Sequence, residues 1–175
     1  MKQFRNITVI LLLIVYFLVI SNSAFAENPM RITTDENVVS IHDDQNILLR
    51  YRYESVPFKP YVQQLFSPRG VNVLRDAPAD HLHHHALMFA VAVDGVNFWE
   101  EQQQPGRQIH KRFNDVKISK RNEVHYAGFT EELDWVNPRT EELLLKESRT
   151  VKVCRLNELA VTLLSWQSEF ELPPA

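Results

Sequence analysis

Four of the seven histidines in the chain fall between positions 81 and 85, in the run Asp80-His81-Leu82-His83-His84-His85. Imidazole titrates near neutrality and also ligates metals, so two chemistries are open to such a cluster. In one, His81 and His83 chelate a divalent ion, a third ligand such as His110 or Glu100 arrives from another strand, and Asp80 orients a ligand histidine from behind. In the other, one of His81, His83 and His84, tuned by a carboxylate such as Asp80 or Asp76, exchanges protons with a bound substrate. Arg75, Trp99 and Glu100 would help to bind that substrate. A sugar suits this set, because carboxylates and imidazoles bond hydroxyls while an indole covers the apolar side of a ring. The plain alternative is that the histidines only satisfy backbone groups where the chain enters a strand.

Elsewhere the residue types exclude more than they suggest. Only four glycines are present, and no glycine-rich phosphate loop can be built from them. No Ser-His-Asp arrangement can be assigned. Cys154 is the single cysteine, so an intramolecular disulfide is impossible, and its alternating apolar surroundings point to a buried, inert thiol. Taken singly, His42, His110 and His125 read as surface or packed histidines. Trp135 and Trp166 read as core, and Trp99 as core or as part of the binding surface.

The elements that must hold the cluster are strands. Apolar residues recur mostly with a two-residue period, and no long segment has a clean helical face. Ile47, Leu49, Tyr51 and Tyr53 alternate with Arg50 and Arg52, which gives one core face and one wet face. Ser67-Pro68-Arg69-Gly70 is turn chemistry between two strands. The continuous apolar run Leu87 to Val93 is expected to be a strand buried on both faces at the centre of the sheet. Asp94-Gly95 then predicts a tight type I′ hairpin into Val96-Asn97-Phe98-Trp99.

Further alternation at Val116 and Ile118, Val124 and Tyr126, Val151 and Val153, and Ala160 to Trp166 predicts an antiparallel β-sandwich. Thr140 to Glu147 is ambiguous, since its residues would also suit two helical turns. Leu159 to Phe170 reads as a last strand. If residues 81–85 are extended, His81, His83 and His85 share one face and His84 takes the other, with about 6–7 Å between alternate residues.

Lys2 and Arg5, the apolar stretch Val9 to Ile20 and Ala24-Phe25-Ala26 form the layout of a signal peptide, with the cut after Ala26. A retained anchor is the alternative, as the uncharged run could just span a bilayer. The small residues at the cut favour cleavage, and no cysteine follows it to carry a lipid. The processed chain, residues 27–175, is expected to be a single soluble domain outside the membrane, secreted or periplasmic. Losing two positive charges takes its net charge from −3 to −5, and its basic residues are interspersed with acids, which excludes a nucleic-acid role.

Lys59-Pro60-Tyr61, Ser67-Pro68-Arg69-Gly70, Asp76 to His84 and Gly95-Val96-Asn97-Phe98-Trp99 occur in the order of a known pattern. Over roughly positions 50–165 the chain resembles the bacterial PmoA-like domain of unknown function, named after a methane oxygenase subunit. The resemblance implies an exported β-sandwich similar to the galactose-mutarotase supersandwich, in bacteria that degrade complex carbohydrates. It places the signature on Asp80, His81, His83 and His84, with Trp99 and His110 as further candidates. The chain departs from the pattern at His85-Ala86, where Arg-Gly is usual. Domains of that family are longer, so the resemblance also implies a sandwich truncated at its C-terminal end. The expected partner is a small-molecule or oligosaccharide ligand, and a divalent metal is the one cofactor in view.

Overall fold

A computed structural model of the chain describes residues 30–56 and 58–173. The expected leader and the expected cut after Ala26 lie outside the described residues. Strands β1 (Met30–Thr34), β2 (Val38–Asp43), β3 (Asn46–Arg52) and β4 (Tyr61–Leu65) form one antiparallel sheet in chain order. A small hairpin follows, β5 (Ala92–Val93) with β6 (Val96–Asn97). Then β7 (Arg107–Arg121), β8 (Val124–Val136), β9 (Leu143–Leu156) and β10 (Val161–Glu171) form a second antiparallel sheet in the order β10-β9-β8-β7. No helix among the described residues is long and apolar enough to cross a membrane.

Met30, Val39, Ile41, Leu49, Tyr51 and Val62 of the first sheet share one core with Ala127, Phe129, Val151 and Val153 of the second. This is the antiparallel β-sandwich that the two-residue period predicts. On β8, Ala127, Phe129, Glu131, Leu133 and Trp135 are all buried, so every second residue faces inward. Full burial of a side chain such as Phe129 or Val151 contributes roughly 1.5–3 kcal/mol. Cys154 lies in the same region, 2 % exposed, and burial pushes its thiol pKa up, as an inert cysteine requires.

The Asp94-Gly95 turn forms as expected, with φ of 47° and 76° at its two central residues, both in the left-handed region of a type I′ turn. Ser67 to Gly70 also turns, the Gly70 amide donating to the Ser67 carbonyl at 2.9 Å. The strand expected after it is reduced to one bridge, Phe66 with Asn72. Thr140 to Glu147 resolves as turn and then strand, because Leu143 onward pairs along β8. Pairing over that length outweighs helix propensity. Asn157–Leu159 make a short 3-10 turn, so the last strand starts at Val161 rather than Leu159.

The run Leu87 to Val93 is a correction. It is not the central strand: only Leu87, through a bridge to Val62, and Ala92–Val93 take part in pairing, and Val91 is 42 % exposed. Its Phe89, Ala90 and Val93 instead pack on a second apolar cluster with Phe98, Leu133, Trp135 and Leu144. Of the seven residues only Ala90 is buried, while Val91 and Ala92 are exposed, so an apolar run fixes neither the pairing nor the full burial of each of its side chains.

Charged groups join the two sheets inside the sandwich. Arg149 on β9 is wholly buried, and all five of its donor hydrogens are used. They go to both oxygens of Glu147 (2.8 and 2.7 Å), the Gln108 side-chain oxygen (2.7 Å), the Tyr51 hydroxyl (2.9 Å) and the Pro60 carbonyl (3.1 Å). Tyr51 in turn donates to Glu131, and Trp135 and Ser168 donate to Glu147. Burial pushes the Tyr51 hydroxyl pKa far up, against the pull of Arg149 and with the help of Glu131. Burial alone would lower the Arg149 pKa, but Tyr51, Glu147 and Glu131 outweigh it and raise it.

Candidate functional site

The histidine run is not extended, which corrects the facing expected of it. The His81 amide donates to the Pro78 carbonyl (2.8 Å), that of His84 to His81 (3.0 Å), and that of Ala77 to His84 (3.1 Å), so the segment coils through successive turns. Ala77 and Ala86, at φ of 41° and 25°, close its two ends. Pro78 and the short polar Asp76 and Asp80 favour turns over a ladder.

Coiling brings His84 to the same side as His81 and His83. The His81 and His84 rings stack with centroids 4.8 Å apart, and His83 meets His84 edge-on at 4.4 Å. Trp99, 41 % exposed and so not core, meets His84 edge-on at 5.6 Å. The Asn97 side-chain oxygen accepts from the amides of Trp99 and Glu100 (2.8 and 3.2 Å), which fixes the turn carrying them. Glu100 lies 3.8 Å from His83 Nδ1, and exposed Asp80 lies 3.2 Å from His81 Nδ1. Bonds to its own backbone amide and to His81 hold the Asp80 carboxyl below its ordinary pKa. Arg75 is exposed and makes no ion pair among the described residues.

His85 turns the other way. Its Nδ1 meets Asp76 at 3.1 Å, its Nε2 meets Glu101 at 3.0 Å, and its ring lies 4.6 Å from that of Tyr61. Tyr61 and Gln63 donate to the second Asp76 oxygen (3.0 and 3.2 Å), and burial followed by Asp76 pushes the Tyr61 hydroxyl up to about 12. Lys59, only 1 % exposed, donates to the same Glu101 oxygen (2.7 Å) and to the Trp99 carbonyl (3.2 Å). Asp76, His85, Glu101 and Lys59 therefore form one continuous chain of polar contacts beneath the exposed histidines. Asp76 serves His85 and none of the histidines expected to depend on it.

Glu101, His81, His83, Asp80 and Phe58 line an open cleft of ≈ 480 Å³. Glu101 and His85 are functional candidates that sequence reasoning passed over. The motif Lys59-Pro60-Tyr61 was visible, but its pairing with positions 76 and 101 requires the fold.

His110 is elsewhere. It lies on β7, where Nδ1 donates to buried Glu131 at 2.6 Å, and its ring packs on Tyr53 and Phe113. Among the described residues, no group of three or more His, Cys, Asp or Glu side chains is arranged to hold a metal ion. The set His81, His83 and His110 thus does not fit a metal centre, and the packing of His81 and His83 on His84 is aromatic rather than convergent.

The ring cluster has an acid-base consequence. Desolvation, then the neighbouring His83 and His81, push the His84 pKa below a histidine's ordinary value. Protonation is then weaker in the folded chain than in the unfolded one. His84 therefore contributes no penalty above the ordinary value and destabilises the fold as pH falls through it. In a proton NMR titration, His84 is expected to show a lower midpoint than an isolated histidine, and replacing His81 and His83 together by glutamine is expected to raise it. An unchanged His84 midpoint in the double variant would count against charge coupling among the rings.

No curated protein and no solved structure matches the chain. A family of unknown function, DUF6807, matches residues 38–173, which takes in β2 to β10 and the whole histidine loop. The chain belongs to this family.

Proposed function

We propose that the chain is an exported domain that binds, and acts on, a carbohydrate at the cleft beside the histidine loop. One observation carries the reading: a carboxylate, Glu101, fixed by buried Lys59 and by His85, lines the same cleft as His81 and His83. A positioned carboxylate and imidazoles suit sugar hydroxyls, each of which donates and accepts. The half-exposed Trp99 indole beside His84 offers the apolar face that covers a sugar ring. His83, paired with Glu100, and His84, whose pKa is low, are the groups available to exchange a proton with a bound hydroxyl. The resemblance to PmoA-like domains and the signal-peptide layout of residues 1–26 agree with an exported carbohydrate-directed protein.

Titration of the purified chain with a panel of neutral mono- and oligosaccharides, followed by Trp fluorescence and thermal melting, tests this. At least one sugar is expected to raise the melting temperature and change the fluorescence. Glu101→Gln is expected to weaken that sugar by about tenfold or more, the scale of a lost hydrogen bond to a charged group. Trp99→Phe is expected to remove most of the fluorescence change. A panel without any response would refute the reading.

A further inference from the structure

A second cleft, of ≈ 190 Å³, runs along the start of β7 and is lined by Tyr53, Glu54, Phe58, Arg107 and His110 among others. Phe58 lines both this cleft and the one beside the histidine loop, so the two are neighbours separated by one side chain. Two features mark it as more than a surface fold.

The first is the His110–Glu131 pair. Glu131 is fully buried, and it accepts from His110 Nδ1 through one oxygen and from the Tyr51 hydroxyl through the other. The ring is further fixed between Tyr53 and Phe113, with centroids 4.7 Å from each. With Nδ1 committed inward, Nε2 is the nitrogen left for a ligand, and a buried carboxylate that orients a histidine in this way fixes its tautomer. The second is Arg107. Its guanidinium makes no hydrogen bond or ion pair among the described residues, and its Nε is shut off from water without an acceptor. Arg155 also has an Nε without a partner, but its terminal nitrogen meets Asp43 at 2.8 Å. Buried polar groups are rarely left unmatched, and a planar guanidinium is suited to a carboxylate.

We infer that this cleft binds the carboxylate-bearing ring of an acidic sugar, with Arg107 holding the carboxylate and His110, oriented by Glu131, bonding an adjacent hydroxyl. A hydroxyl both donates and accepts, so it meets Nε2 in either protonation state. The inference rests on the carbohydrate reading for the nature of the ligand, and it extends the bound chain past Phe58 into a second, acid-specific position.

Sodium glucuronate, glucose and sodium acetate are the probes, with NMR of the Arg Nε–H and His ring signals of the full chain. Glucuronate is expected to shift Arg107 and His110 and to bind at least tenfold more tightly than acetate. Glucose is expected to leave Arg107 unmoved. Arg107→Gln is expected to weaken glucuronate by about tenfold or more, Arg107→Lys by less, with the Trp99 response to neutral sugars unchanged in both. The inference is overturned if glucuronate leaves the Arg107 and His110 signals in place, if Arg107→Gln binds it as the parent does, or if acetate binds equally well. Failure of the first cleft reads out separately, as absence of any Trp99 or Glu101-dependent response while Arg107 still responds to glucuronate.

Discussion

Arg149→Met is expected to destabilise the protein by about 3–5 kcal/mol, the usual cost of removing one partner from a buried ion pair. For a domain of this size that lowers the melting temperature by about 10–15 °C. The size of the effect comes from what is left behind. Among the described residues Glu147 keeps only Trp135 and Ser168 as donors, Glu131 loses a nearby positive charge, Tyr51 and Pro60 each lose a bond across the sandwich, and Gln108 loses one within its own sheet. Methionine also gives up the guanidinium stacked 4.7 Å from the Trp166 ring centroid. Arg149→Lys is expected to recover only part of the loss, because three donors on a point charge cannot satisfy acceptors laid out for a planar fork. Urea and thermal unfolding of the two variants beside the parent check this. A methionine variant within 1 kcal/mol of the parent would show that the network is energetically neutral against apolar packing.

Lys59→Met should act on stability and on the site together. Lys59 is 1 % exposed and Glu101 14 %, so the pair is mostly withdrawn from water, and its loss is expected to cost about 2–4 kcal/mol. The Trp99 carbonyl loses its donor at the same time, which frees the Asn97–Glu101 turn that carries Trp99 and Glu100 to the histidines. Saccharide affinity is therefore expected to fall by about tenfold or more through displaced groups rather than lost contacts. Pairing the change with Glu101→Gln separates the two effects. If the buried charge is the cause, the double variant is less destabilised than the sum of the singles, whereas additive losses would mean that Lys59 and Glu101 stabilise the fold independently.

These two residues show how the sandwich and the candidate site are coupled. The Pro60 carbonyl accepts from Arg149, while Lys59 on one side reaches Glu101 and Tyr61 on the other reaches Asp76. Three consecutive residues leading into β4 thus connect the buried ion network to the ground under the histidine loop. Loosening of the core is expected to reach the loop through this segment, since packed cores transmit strain.

The sequence by itself determined the class of the fold. Side-chain alternation is local information, because a strand with one buried face turns every second residue inward, as β8 does from Ala127 to Trp135 and β9 from Glu147 to Val153, and most of the residues so placed are apolar. The Asp94-Gly95 turn is equally local, since its two left-handed residues restrict the choice of side chain. The clustering of His81, His83 and His84 with Trp99 was legible as a grouping of residue types. Which of them face one another was not, because turns and an extended segment present the same residues in different directions. The Leu87 to Val93 run was misread for a similar reason: a run of apolar residues does not say which of them the fold covers or what they pair with, and here only Ala90 is buried.

Only the tertiary structure decided the pairings that span long stretches of chain. Lys59 with Glu101, His85 between Asp76 and Glu101, His110 on Glu131, and Arg149 with Tyr51 are set by how the two sheets and the loops between them come together. A charged residue inside a strand reads as solvated unless a partner neutralises it, and that partner is a matter of distance in space rather than in sequence.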